Sequence, residues 1–139
     1  MLSTVLAFGS AIAIQPQEVT CEHLERPEMT AAQKAELVTC VFRGVARETS
    51  ANLPHRVDEL SEIVSLIAAG PAAIYTVRVD RDAADFSASE VAIAEQNVRQ
   101  RTCNLPNTRE TFEFGGSYHY VYVDRRGYRL NSFSIDRCP

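Results

Sequence analysis

Four cysteines, Cys21, Cys40, Cys103 and Cys138, constrain this chain more than any other feature. Their number is even and no two form a C-x-x-C pair, so neither a zinc knuckle nor a redox motif is indicated. In an oxidising compartment two disulfides are expected, with three possible connectivities. The local pairs, Cys21 with Cys40 and Cys103 with Cys138, are favoured. Closing the longer loop stabilises by roughly 3–4 kcal/mol, a large share of a small domain's margin. Cys138 would then pin a C-terminal strand that otherwise frays. The N-terminal bridge, tying down only a loop, is expected to contribute less, about 1–2 kcal/mol.

The start of the chain points to the same compartment. Residues 1–13, "MLSTVLAFGSAIA", are apolar and end in Ala11-Ile12-Ala13, an A-x-A cleavage signature with Pro16 soon after it. This resembles the h-region and c-region of a secretory signal peptide, without the usual Lys/Arg n-region, and export is expected. The run is too short to span a bilayer and no other stretch comes close, so no transmembrane segment is expected. Export implies a periplasmic or secreted protein with a single domain of about 110 residues after the N-terminal loop.

Residues 14–29 contain Pro16 and Pro27 and read as that loop. Thr30 and Gln33 make a capping box, and Leu37, Val38, Val41, Phe42 and Val45 form one apolar stripe, predicting a helix over 30–49. The "AGPA" turn and the alternation of Tyr75, Val77 and Val79 predict a hairpin with strands at 60–69 and 73–80. Ser87 and Glu90 cap a second helix that Leu105-Pro106 breaks. A short helical turn after Pro106 ends at Gly115-Gly116. "SYHYVYVD" and "GYRLNSFSID" follow as strands joined by a turn at 124–127. The expected fold is α+β, ordered α-β-β-α-β-β: a four-stranded, mainly antiparallel sheet with both helices on one face, stapled by disulfides, over 30–139.

A net charge of −4, with fourteen basic residues interleaved with acids, argues against nucleic acid as a partner. The three histidines, His23, His55 and His119, form no metal-binding or nucleophile-activating pattern. Asp80, Asp82 and Asp85 lack the glycine and closing glutamate of a calcium loop. No Gly-rich phosphate loop occurs. No catalytic residue, metal or cofactor is expected.

The surface that stands out is aromatic. Tyr118, Tyr120 and Tyr122 share one face of their strand, and Tyr128 lies across the turn. The complementary set, His119, Val121 and Val123 with Phe133 and Ile135 of the next strand, is the more apolar. That assigns the second set to the core and makes the four tyrosines an open, partner-binding platform.

"SANLPHRVDELSEIVSLIAAGPAAIYTVRV" and "NVRQRTCNLPNTRETFEFGGSYHYVYVDRRGYRLNSFSIDRC" together resemble the β-type pilotins of type II secretion. Asn52-Leu53-Pro54, Cys103, Pro106, Gly116, Gly127 and Cys138 match that family's motifs, over about residues 35–138. The resemblance implies a Cys103–Cys138 bridge, the α-β-β-α-β-β sheet, and a protein partner, a helical segment of an envelope protein. It departs at the anchor. Pilotins are acylated on a cysteine directly after the signal peptide, whereas Cys21 follows Glu18-Val19-Thr20, so no lipid anchor is expected.

The leading expectation is therefore a non-enzymatic adaptor or chaperone, marked by an apolar groove between helix and sheet. The alternative is a small secreted inhibitor or immunity-type protein using a rigid loop at 80–87 or 124–127. An enzyme would need a concave site with perturbed ionisable groups.

Overall fold

The computed structural model describes residues 21–139. The expected signal peptide at 1–13, and residues 14–20 of the expected N-terminal loop, lie outside the described residues. Besides short 3-10 turns at Glu22–Leu24 and Ala83–Asp85, the elements are α1 (Ala31–Ser50), β1 (His55–Arg56), β2 (Ser61–Ala69), β3 (Ala72–Val79), α2 (Ala88–Asn104), α3 (Thr108–Glu113), β4 (Ser117–Val123) and β5 (Arg129–Ile135). Both expected capping boxes form: Thr30 Oγ1 accepts from the Gln33 N–H at 3.2 Å, and Ser87 Oγ from the Glu90 N–H at 3.1 Å. Each satisfies helix-end donors that would otherwise be orphaned.

The sheet has five strands in the order β1-β2-β3-β4-β5, and one neighbouring pair, β3 with β4, is parallel. The expectation of four strands is corrected by β1, a two-residue strand whose His55 and Arg56 pair with Ile63 and Glu62. The parallel pair follows from the connection. The chain leaves the end of β3, runs through α2 and α3, and returns beside β3 in the same direction, a crossover that a tight turn cannot make.

All three helices lie on one face. Phe42 of α1 and Phe112 of α3 both meet the Tyr118 ring, with centroids 5.7 and 5.9 Å away, while Thr102 of α2 reaches the Tyr120 hydroxyl at 3.4 Å. Between the layers sit Leu37, Val38, Val41, Phe42 and Val45 of α1, against Ile63, Leu66, Tyr75, Val77, Tyr118, Tyr120 and Ile135 of the sheet. Gly116 lets α3 and α1 come this close to the start of β4. A Cβ there would stand 2.7 Å from Thr111 Cγ2 and 3.0 Å from Val38 Cγ1.

Cys21 bonds Cys40 and Cys103 bonds Cys138, and no cysteine is free. Cys103 lies near the end of α2 and Cys138 just past β5, so this bridge staples helix to sheet. Cys21 itself is only 4% exposed and belongs to the core, so the N-terminal bridge ties down more than a loop.

The tyrosine stripe is the main correction. Tyr118 and Tyr120 are 3% and 0% exposed and are core residues, not a platform. His119, Val121 and Val123 point instead to the sheet face opposite the helices. Parallel pairing with β3 sets this face, placing Tyr120 beside buried Tyr75 and Tyr122 beside buried Val77, while a β-bulge between Tyr122 and Val123 sets the face of β5. Without the bulge, the Val123–Arg129 pairing would put His119 opposite Phe133. The one-residue shift pairs Tyr120 with Phe133 and Tyr118 with Ile135. A single-residue slip exchanges the faces of a strand, so Phe133 and Ile135 join the tyrosines beneath the helices.

Candidate functional site

Four rings lead outward from the centre of the core. Tyr75 stacks on Tyr120 with centroids 5.5 Å apart, Tyr120 on Phe133 at 5.4 Å, and Phe133 on Tyr122 at 6.1 Å. Tyr122 ends the series at the floor of a groove of about 1050 Å³. Val77, Val79 and Phe133 complete that floor. One wall is α2, through Val91, Ala94, Val98 and Thr102. The other is the β1–β2 connection, through Val57 and Leu60.

The groove is open because α2 does not fill it. Of the helix's 17 residues only Val98 and Thr102 are buried. Ala94, itself exposed, lines the groove with no more than a methyl group, and Ile93 points outward, 58% exposed. The C-terminal half of α2 is held by the Cys103–Cys138 bridge. Further toward its N-terminus, Glu95 is bonded to Arg99 and to Asn131 of β5. Near its start, Glu90 pairs with Arg81, whose guanidinium lies over the Phe86 ring. The helix is thus fastened at its end and near its start, with an apolar hollow beneath it.

On the opposite wall Asp58 Oδ1 accepts from the N–H groups of both Leu60 and Ser61 at 2.8 Å, and the Arg56 guanidinium donates to the carbonyls of Asp58 and Glu59. These bonds hold Leu60, 49% exposed, at the groove margin. Burial pushes the Tyr122 phenol up to about 12, with nearby Arg101 acting to lower it and Asp58 to raise it. Burial holds Tyr118 and Tyr120 well above the ordinary phenol range. All three rings therefore stay neutral in ordinary buffers, and none is tuned for proton transfer near neutral pH.

The expected platform is therefore divided. Tyr118 and Tyr120 are inside, Tyr122 lines the groove, and Tyr128 stands apart on the β4–β5 turn, 65% exposed. The two loops singled out in the sequence, 80–87 and 124–127, are fastened to one another. Buried Asp124 accepts from Ala83 N–H at 3.1 Å and from the Arg126 and Tyr128 N–H groups at 2.9 Å. Arg125 N–H donates to the Arg81 carbonyl, and Arg125 pairs with Asp80 and Asp82. Residue patterns pointed to neither groove wall as a site. The available signal was apolar Val57 and Leu60 inside the polar stretch "HRVDEL", together with the short apolar face of α2, where Ala94 stands between Val91 and Val98. Among the described residues no cluster of side chains is arranged to hold a metal ion, and no helix is long and apolar enough to cross a membrane.

No protein-family model matches the sequence, and no curated protein matches it significantly. Solved structures do share its fold. The type II secretion system pilotin AspS from Vibrio cholerae is 19% identical, with 75% of this chain and 93% of that one covered at a TM-score of 0.59. The type 2 secretion system pilotin EpsS from Vibrio vulnificus is 13% identical, with 75% and 92% covered at 0.61. A candidate secreted protein from Pseudomonas aeruginosa is 16% identical, with 74% and 92% covered at 0.62. The resemblance to pilotins is one of fold.

Proposed function

We propose that this chain is an exported, non-enzymatic adaptor of the pilotin kind, which holds an amphipathic helical segment of an envelope protein against Tyr122 in the groove beneath α2. The observation that carries this reading is the groove itself: an apolar floor and two partly apolar walls, left uncovered along a helix. Such a surface suits the apolar stripe of a second helix, read at i, i+3, i+4 and i+7. Two disulfides suit an oxidising compartment, and the shared fold with pilotins supports the same role. Filling the hollow tests it. Ala94→Trp should abolish capture of the main partner from periplasmic extract while Ile67→Trp, on the opposite sheet face, leaves it intact. Undiminished capture by folded Ala94→Trp protein would overturn the reading.

A second reading rests on Tyr128. It projects from a turn made rigid by Asp124, as an inhibitor's contact residue would. Under that reading Tyr128→Ala loses the partner and Ala94→Trp does not.

A further inference from the structure

The two walls of the groove carry opposite unpaired charge. On α2, Glu90 and Glu95 are neutralised by Arg81 and Arg99, which leaves Arg101 as the lining charge of that wall with no ion pair among the described residues. Across the groove, Asp58 and Glu59 have no ion pair among the described residues; Arg56 shares their wall and donates through Nη1 to their backbone carbonyls, so two carboxylates against one guanidinium leave that wall net acidic. Both walls act electrostatically on the same group, the Tyr122 hydroxyl at the floor between them.

We infer that the groove selects a helix of opposite flanks: an apolar stripe seated on Tyr122, acidic side chains along the edge facing Arg101, and basic side chains along the edge facing Asp58 and Glu59. This rests on the groove being the binding site and goes on to name the chemistry of its occupant. The α2 wall runs from Glu90 to Asn104, about 22 Å, and matches an occupant of similar length. Complementary charge at a rim adds selectivity and fixes which way round the occupant lies, because reversing a helix exchanges its flanks. A helix acidic on both edges meets Asp58 and Glu59, and one basic on both edges meets Arg101. Each is disfavoured on one side.

Three designed 16-residue helical peptides with one shared apolar stripe test this by fluorescence anisotropy at low salt. One carries Glu on one edge and Lys on the other, one Glu on both, and one Lys on both. The mixed peptide should bind roughly threefold to fivefold tighter than either uniform one, with the margin shrinking as salt rises. Arg101→Glu should move the preference to the Lys peptide, and Glu59→Lys to the Glu peptide. A structural role for either residue would weaken all three peptides together and give no such reversal. Equal binding of all three by the wild type overturns the charge selection and leaves the groove reading standing. No binding of any peptide overturns both.

Discussion

Tyr120 of β4 stands opposite Phe133 of β5, and their rings stack 5.4 Å apart beneath α2. Around that pair the sheet face is divided between core and groove. Tyr120, 0% exposed, supports the helices, and Tyr122, two residues on, is left at the margin. Tyr120→Ala should therefore cost about 3–5 kcal/mol through lost burial and a cavity. Tyr122→Ala should cost clearly less and weaken partner binding by about 1–3 kcal/mol. Denaturant midpoints and binding isotherms on the two variants check this.

The disulfides should contribute more evenly than the sequence alone suggested. Loops of 19 and 35 residues correspond to about 3 and 4 kcal/mol on the chain-entropy model. Cys21 is also a core residue. Cys21→Ser and Cys103→Ser should lower stability by amounts within about 1 kcal/mol of each other by that scale. Equilibrium unfolding at a common m-value measures both. A loss from Cys21→Ser below half of that from Cys103→Ser would return the N-terminal bridge to the role of a loop tether.

Gly116 is required for space. Its missing Cβ is where Thr111 and Val38 meet the chain, at 2.7 and 3.0 Å. Gly116→Ala should cost about 1–3 kcal/mol from overpacking, read as a lowered melting temperature. Thr111→Ser in the same background removes the nearest methyl and should restore part of the loss.

The joined loops should respond to acid. Burial works against the Asp124 carboxylate, but N–H donors from Tyr128, Ala83 and Arg126, with the Arg126 charge, outweigh it and hold its pKa below the ordinary value. The folded state thus favours the ionised form. Its stabilisation is complete above the unfolded-chain value, near pH 4, and is lost as pH falls through the lower folded value. Asp124→Asn should be less stable than wild type at pH 7, with the gap narrowing below about pH 4. Thermal melts of both proteins across that range measure it.

Local signals carried most of the fold. Thr30 with Gln33 and Ser87 with Glu90 marked the starts of α1 and α2, and the alternation around Tyr75 marked β3. The local cysteine pairing is the one the structure holds. What failed was non-local. Strand direction beside β3 depends on where a crossover lands, and the face of a strand depends on its register. One bulged residue near Val123 moved Phe133 and Ile135 to the other side of the sheet, which no period-two pattern within β5 reveals. The groove was harder still. It arises from what α2 does not bury and from where the β1–β2 connection places Val57 and Leu60, neither of which a local pattern shows.

Site-specific photo-crosslinking in the living cell tests the central claim most directly. A photoreactive phenylalanine analogue is placed in turn at Ala94 in the groove, at Ile67 on the uncovered sheet face, and at Tyr128 on the turn. The groove account predicts a single main adduct from position 94, mapping to an amphipathic helical segment of the partner, and no such adduct from 67 or 128. An adduct with the same partner from 128 and none from 94 would contradict it.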